Sequence, residues 1–87
     1  MTSIIIYSTK ICPYCERAKQ LLRKKHAPFT EVFIDEEPAK RTEMEERSHK
    51  RTVPQIFIGD VHVGGSDDLY ALEHAGQLDE LLKSVLS

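Results

Sequence analysis

The chain has two cysteines, and they stand three positions apart in Cys12-Pro13-Tyr14-Cys15. The only intramolecular disulfide open to it therefore joins these two. If the segment opens a helix, the i, i+3 spacing puts both sulfurs on one face. The first sulfur then lies beside the N–H groups that the first turn leaves unpaired. Those amides, with the positive end of the helix dipole behind them, favour the thiolate, which is the reactive form of cysteine and also its metal-binding form. Zinc would need two further ligands. The histidines at 26, 49, 62 and 74 show no spacing that pairs them as ligands and fall on separate elements. The helix-start placement favours reversible thiol chemistry at Cys12, with metal binding left open, against a blander reading in which both cysteines are small core residues.

Composition narrows the setting. Eighty-seven residues, 40% hydrophobic and 30% charged, suit one soluble domain spanning 1–87. Twelve basic and 14 acidic residues leave a net charge of −2. That balance offers no field to gather nucleic acid or an anionic membrane, so neither is expected as a partner. The apolar run Ile4 to Tyr7 is too short for a membrane span or a signal core, and Met1-Thr2-Ser3 before it carries no basic segment. The expected location is cytoplasmic, where a close cysteine pair is catalytic or metal-binding rather than a structural staple.

The elements that would position the pair follow in order. Ile4 to Ser8 is continuous and β-branched, as in a strand buried on both faces. From Cys12, the residues Cys15, Ala18, Leu21, Leu22 and Lys25 recur at helical spacing. Glu16, Arg17, Lys19, Gln20, Arg23 and Lys24 take the outer face, and Pro13 is tolerated in the first turn. Arg23 to His26 reads as a solvated helix end. Phe29 to Ile34 is a second strand. Asp35 to Pro38 starts a highly charged surface helix reaching Ser48, with only Ala39 and Met44 to bury. Val53 to Ile58 is a third strand, and Gly59-Asp60 turns the chain into a fourth at Val61 to Val63, broken by Gly64-Gly65. Ser66 or Asp67 would cap a helix carrying Leu69, Tyr70 and Leu72 that Gly76 ends. Asp79 would cap a last one with Leu81, Leu82, Val85 and Leu86. The order β-α-β-α-β-β-α-α predicts an α/β fold: a mixed four-stranded sheet flanked by helices, with the cysteines at one rim.

Cys12-Pro13-Tyr14-Cys15, Thr52-Val53-Pro54-Gln55-Ile56-Phe57-Ile58 and Gly64-Gly65-Ser66-Asp67-Asp68-Leu69, at these intervals, resemble a dithiol glutaredoxin of the short bacterial type. The resemblance spans nearly the whole chain. It implies a thioredoxin-like fold, a cis bond before Pro54, and glutathione-dependent reduction of protein–glutathione mixed disulfides and protein disulfides. Glutathione would be a co-substrate, with no bound cofactor, and the protein a monomer. Cys12 would be the nucleophile and Cys15 the resolving thiol. Lys10, two residues before Cys12, would add positive potential and meet the glycyl carboxylate of glutathione, with Arg41 as a second contact. Val53, beside Pro54, would pair its backbone with the tripeptide as an added strand does, flanked by Thr52. Gly65, Ser66 and Asp67 would hold the γ-glutamyl end at a helix start. Tyr14 would offer a flat apolar surface beside the sulfur. Many relatives have a third cysteine where this chain has Ser66, a departure that leaves the chemistry at Cys12 untouched.

Two other functions fit parts of the pattern. Some glutaredoxins carry an iron–sulfur cluster between two chains, but those specialised for it resemble C-G-F-S, unlike Pro13 and Cys15 here. A thioredoxin-type donor fed by a flavoprotein reductase would share the cysteine pair but not require the glutathione contacts.

Overall fold

The computed structural model describes residues 4–86, so Met1 to Ser3 lie outside the described residues. The elements run β1 (Ile4–Ser8), α1 (Pro13–Lys24), β2 (Thr30–Phe33), α2 (Pro38–Ser48), β3 (Gln55–Ile58), β4 (Val61–Gly64), α3 (Ser66–His74) and α4 (Leu78–Leu86). The strands form one sheet in the order β2-β1-β3-β4. β1 pairs with β2 in parallel, as expected of a β-α-β crossover, and antiparallel with β3, which turns back into β4.

The continuous apolar run of β1 is explained by its central place in the sheet. Ile4 and Ile6 point into the larger core with Ala18, Leu21 and Leu22 of α1, Leu69 of α3 and Leu78 and Leu82 of α4. Tyr7 points the other way, into a smaller cluster with Ile34, Met44 and Phe57 under α2. Burying each such side chain contributes about 1.5–3 kcal/mol, so the side holding α1, α3 and α4 carries most of the packing energy. Among the described residues, no helix is long and apolar enough to cross a membrane.

Several local expectations change. β2 is shorter than Phe29 to Ile34, although the Ile34 N–H still donates to the Ser8 carbonyl at 2.9 Å. β3 begins at Gln55 rather than Val53, because Val53–Pro54 is a cis bond and proline has no N–H to give the ladder. Gly64 ends β4 instead of breaking it, after a register shift at Ile56/Phe57. Its φ of 110° is one that side-chain-bearing residues avoid. Neither Ser66 nor Asp67 caps α3; Gly65 does, and Asp68 accepts the Gly65 N–H at 2.9 Å. Asp79 sits inside the first turn of α4, not before it.

Charged residues depart most from the sequence reading. Lys19, assigned to the outer face of α1, is buried between Glu16 at 2.6 Å and Glu31 at 2.8 Å. Lys25 is not simply solvated, since it pairs with Glu73 at 2.8 Å and Asp79 at 3.0 Å. In α2, Ala39 is exposed, whereas Ser48 joins Met44 in the interior, its hydroxyl donating to the Met44 carbonyl at 2.6 Å.

The strand directions bring three chain segments to one rim. Antiparallel pairing sets Tyr7 of β1 opposite Gln55 of β3 and Ile56 opposite Gly64 of β4. The segment leaving β1, the segment entering β3 and the segment leaving β4 therefore share one edge. These are the stretches that hold Cys12, Val53-Pro54 and Gly65-Ser66.

Candidate active site

Cys12 is the N-cap of α1, with extended backbone at φ −152° and ψ 100°. Its sulfur accepts the Cys15 N–H at 3.2 Å, and Pro13 occupies the first turn, where a missing N–H costs nothing. The two sulfurs are in direct contact as a disulfide, with the Cα atoms 5.2 Å apart. Their surroundings differ. Cys12 is half-buried at the surface, whereas Cys15 is 1% exposed against the core face of α1. Ile11 and Tyr14 around Cys12 are 92% and 57% exposed, an apolar collar beside the reachable sulfur.

Next to this pair lies a cavity of about 260 Å³ lined by Tyr14, Lys50, residues 52–55 and residues 65–68. Thr52, Val53, Pro54, Gly65, Ser66 and Asp67 are thus brought together along with Tyr14. One wall is the cis Val53–Pro54 segment. Its conformation is held by Gln55, a buried side chain whose amide donates to the Thr52 carbonyl at 3.0 Å and the Thr52 hydroxyl at 3.2 Å. The opposite wall is the start of α3, where the helix leaves N–H groups free to receive an anion. Ser66 Oγ is buried there without a hydrogen-bond partner among the described residues.

Lys10 and Arg41 do not line this cavity. The Lys10 ammonium pairs with Glu36 at 3.1 Å, and its N–H donates to Asp35 at 3.1 Å. Arg41 is exposed on α2. The cation that does line it is Lys50, which the sequence reading missed. His49, in the left-handed region with φ 59°, ends α2 and turns the chain, and Ser48 Oγ receives the Lys50 N–H at 3.1 Å. The signal was present as a lysine just ahead of Thr52-Val53-Pro54. Asp68, also missed, lines the cavity as well as closing the α3 cap. A positive side chain therefore stands on one side of the cavity, with a helix start and acids on the other.

Two polar networks brace the rim from behind. The Tyr7 hydroxyl donates to Glu43 at 2.5 Å and accepts from Arg47 at 2.9 Å. Burial, reinforced by the Glu43 carboxylate, pushes the Tyr7 phenol up, while the same hydrogen bond holds Glu43 below the usual carboxylate range. On the other side, Ser8 donates to Glu31 at 2.6 Å, and Glu31 also binds Lys19. Burial pulls the Lys19 ammonium down, but its hydrogen bonds to Glu16 and Glu31 outweigh that and hold it above the lysine range. Among the described residues, no group of three or more His, Cys, Asp or Glu side chains could hold a metal ion.

A helix-start thiol, a cis-proline wall and a glycine-led helix start at one sheet rim make a combination that comparison with known proteins can place. The family model for glutaredoxin matches residues 4–63. The chain belongs to the glutaredoxin family. It is similar to glutaredoxin 3 of Escherichia coli strain K12, with 55% identity over 83 residues covering 95% of this chain and 100% of that one. The solution structure of a glutaredoxin from Brucella melitensis superposes with a TM-score of 0.83 at 59% identity, over 95% of this chain and 90% of that one. A buckwheat glutaredoxin–glutathione complex superposes with a TM-score of 0.88 at 29% identity, over 95% of this chain and 78% of that one. This glutaredoxin has the thioredoxin-like fold and the dithiol pair of its family. It is a glutathione-dependent thiol–disulfide oxidoreductase.

Proposed function

We propose that Cys12 is the attacking thiol and that the cavity beside it receives glutathione. The observation that carries this reading is the asymmetry of the site: a surface sulfur receiving a backbone N–H, beside a cavity with Lys50 on one side and the α3 start with Asp67 on the other. Glutathione matches that polarity, with a glycyl carboxylate at one end and an α-carboxylate and ammonium at the other. The same ligand in the buckwheat complex supports the assignment. Val53 offers backbone to the middle of the tripeptide, Thr52 and Tyr14 flank it, and Gly65, Ser66 and Asp67 hold the γ-glutamyl end. Lys10 and Arg41 act at longer range, through charge.

With a glutathionylated protein, the Cys12 thiolate attacks the glutathione sulfur. The Cys12–glutathione disulfide forms as the protein–glutathione bond breaks, and the protein thiolate leaves and takes up a proton. The thiolate of a second glutathione attacks the bound glutathione sulfur, releasing glutathione disulfide and regenerating the Cys12 thiolate. With a protein disulfide, Cys12 forms a mixed disulfide with one protein sulfur and the Cys15 thiolate displaces it. The resulting Cys12–Cys15 disulfide is reduced by two glutathione molecules, which leave as glutathione disulfide. Exchange is fastest when the attacker is ionised and the leaving thiol has a low pKa. The reading includes one domain, a monomer, a cytoplasmic setting, and partners limited to glutathione and proteins bearing glutathionylated or disulfide-bonded cysteines, without nucleic acid or membrane.

The test is a coupled glutathione assay on a glutathionylated peptide and on a protein disulfide. Cys12→Ser abolishes both activities, whereas Cys15→Ser loses the protein disulfide activity and keeps deglutathionylation. Equal loss in the two variants contradicts the division of roles.

A further inference from the structure

His62 of β4 lies outside the cavity lining, yet it is linked to the cavity wall through Gln55. Its Nε2 is 2.7 Å from Gln55 Oε1, and its ring stacks on Phe57 with centroids 4.7 Å apart and planes 23° from parallel. The Gln55 amide, 1% exposed, reaches Thr52 with its other end. One atom in this chain has a role that cannot change: the Thr52 carbonyl only accepts. The Gln55 NH₂ must therefore face it, which turns Oε1 toward His62 and requires a proton on His62 Nε2. That proton is present in one neutral tautomer and in the imidazolium, so the bridge outlasts protonation at Nδ1.

We propose that His62 is a positioning residue for the glutathione-binding wall, acting through Gln55 to fix the Thr52–Val53–Pro54 segment. The bridge spans Val53–Pro54 from both sides: Gln55 follows the cis bond in the chain, and its side chain ties back to Thr52 before it. The backbone of Val53, held between these two anchors, has little freedom to swing. Without the His62 donor, Gln55 Oε1 is a buried acceptor with nothing to bind. The amide can then turn, and the Thr52 carbonyl loses its fixed partner. Phe57 supports the arrangement by carrying the imidazole on one ring face contact and the Arg47 guanidinium, 4.3 Å from its centroid, on another. The proposal rests on the reading of the cavity as the glutathione site.

The experiment compares the wild type with His62→Phe, which keeps a ring to stack on Phe57, and with His62→Gln, whose amide N–H restores a donor near the Nε2 position. Deglutathionylation of a peptide gives apparent KM and kcat. Reduction of the Cys12–Cys15 disulfide by dithiothreitol reports thiol chemistry that does not need the cavity. In His62→Phe, KM rises about ten-fold, the scale of one buried hydrogen bond lost, while kcat and the dithiothreitol rate stay within about two-fold. His62→Gln recovers most of the KM loss. If the histidine variant fails to fold, nitrogen-15 NMR of the wild-type imidazole decides the matter: the bridge requires a proton on His62 Nε2, and a neutral ring protonated at Nδ1 alone overturns it. An unchanged KM, or parallel losses in both reactions, overturns the proposal. A wild type that handles cysteinylated and glutathionylated peptides equally well overturns the cavity assignment itself, and the proposal with it. That arm involves no His62 variant, so the two failures are told apart.

Discussion

The backbone N–H of Cys15 points at the sulfur of Cys12 across 3.2 Å. This contact belongs to the first turn of α1, where amides have no partner inside the helix, and it is stronger when the sulfur is negative. Among the described residues Cys15 has no such donor, and it is buried. In the reduced protein Cys12 is therefore the faster thiol toward an alkylating reagent and Cys15 the slower one. Iodoacetamide alkylation rates at neutral pH in the Cys15→Ser and Cys12→Ser variants check this. Equal rates in the two contradict it.

Lys50 is the cation on the cavity wall, while Lys10 is occupied by Glu36 and Arg41 stands outside the lining. Lys50→Met raises the apparent KM for a glutathionylated peptide by about three- to ten-fold and weakens its salt dependence, the range of one partly exposed charge contact. Arg41→Met and Lys10→Met each change KM less. A larger effect from Arg41 would move the carboxylate contact onto α2.

Gly64 combines a φ of 110° with a position where an added Cβ would collide with the Asp68 carboxylate. Gly64→Ala should cost about 1–3 kcal/mol in denaturant unfolding through backbone strain, together with the displaced cap. In an Asp68→Ala background the collision is gone and only the strain remains. The second Gly64→Ala cost is then the smaller one, and equal costs would show that Asp68 plays no part.

Stability responds to alkali through Lys19 and Tyr7. Both titrate above their ordinary values in the folded protein. Unfolded, they titrate near about 10.4 and 10. Their contribution is complete below those values and is lost as pH rises through the folded ones. Glu43, held low, contributes above about 4.3 and loses that contribution as pH falls through its folded value. Lys19→Met should flatten the alkaline limb of a stability–pH curve, and Glu43→Gln the acid limb.

Much of this was readable from residue order. The β-branched run at Ile4 to Ser8, the helical spacing from Cys15 to Leu22 and the Gly59-Asp60 turn depend on local periodicity, and periodicity survives into the fold. The cysteine pair was legible from its spacing, whereas Val53-Pro54 and Gly65-Ser66-Asp67 stood out only through the family resemblance, since residue order alone favours a trans proline at the start of an edge strand. What was hidden depends on partners distant in sequence. Lys19 looks like a surface lysine until Glu31 comes alongside it on β2. Arg47 and Glu43 look like solvent-facing helix charges until Tyr7 rises to meet them. His62 and Gln55, seven positions apart, become neighbours only through the β3–β4 turn. The end of α2 was opaque for another reason: His49 takes a left-handed conformation that its residue type does not demand, and this decides where Lys50 points.

α2 fully buries only Met44 and Ser48, and its other ties to the sheet run through Tyr7 and Phe57. It can therefore detach as a cooperative unit while the larger core on the far side of the sheet stays packed, at a free energy below that of global unfolding. Ser48 connects this unit to the cavity by holding Lys50. Occupancy and local opening are then thermodynamically coupled: a ligand that needs Lys50 in place must suppress the detached state. Saturating glutathione should slow amide hydrogen exchange in α2 more than in α1, making a helix without a cysteine the sensitive reporter of whether the redox site is filled.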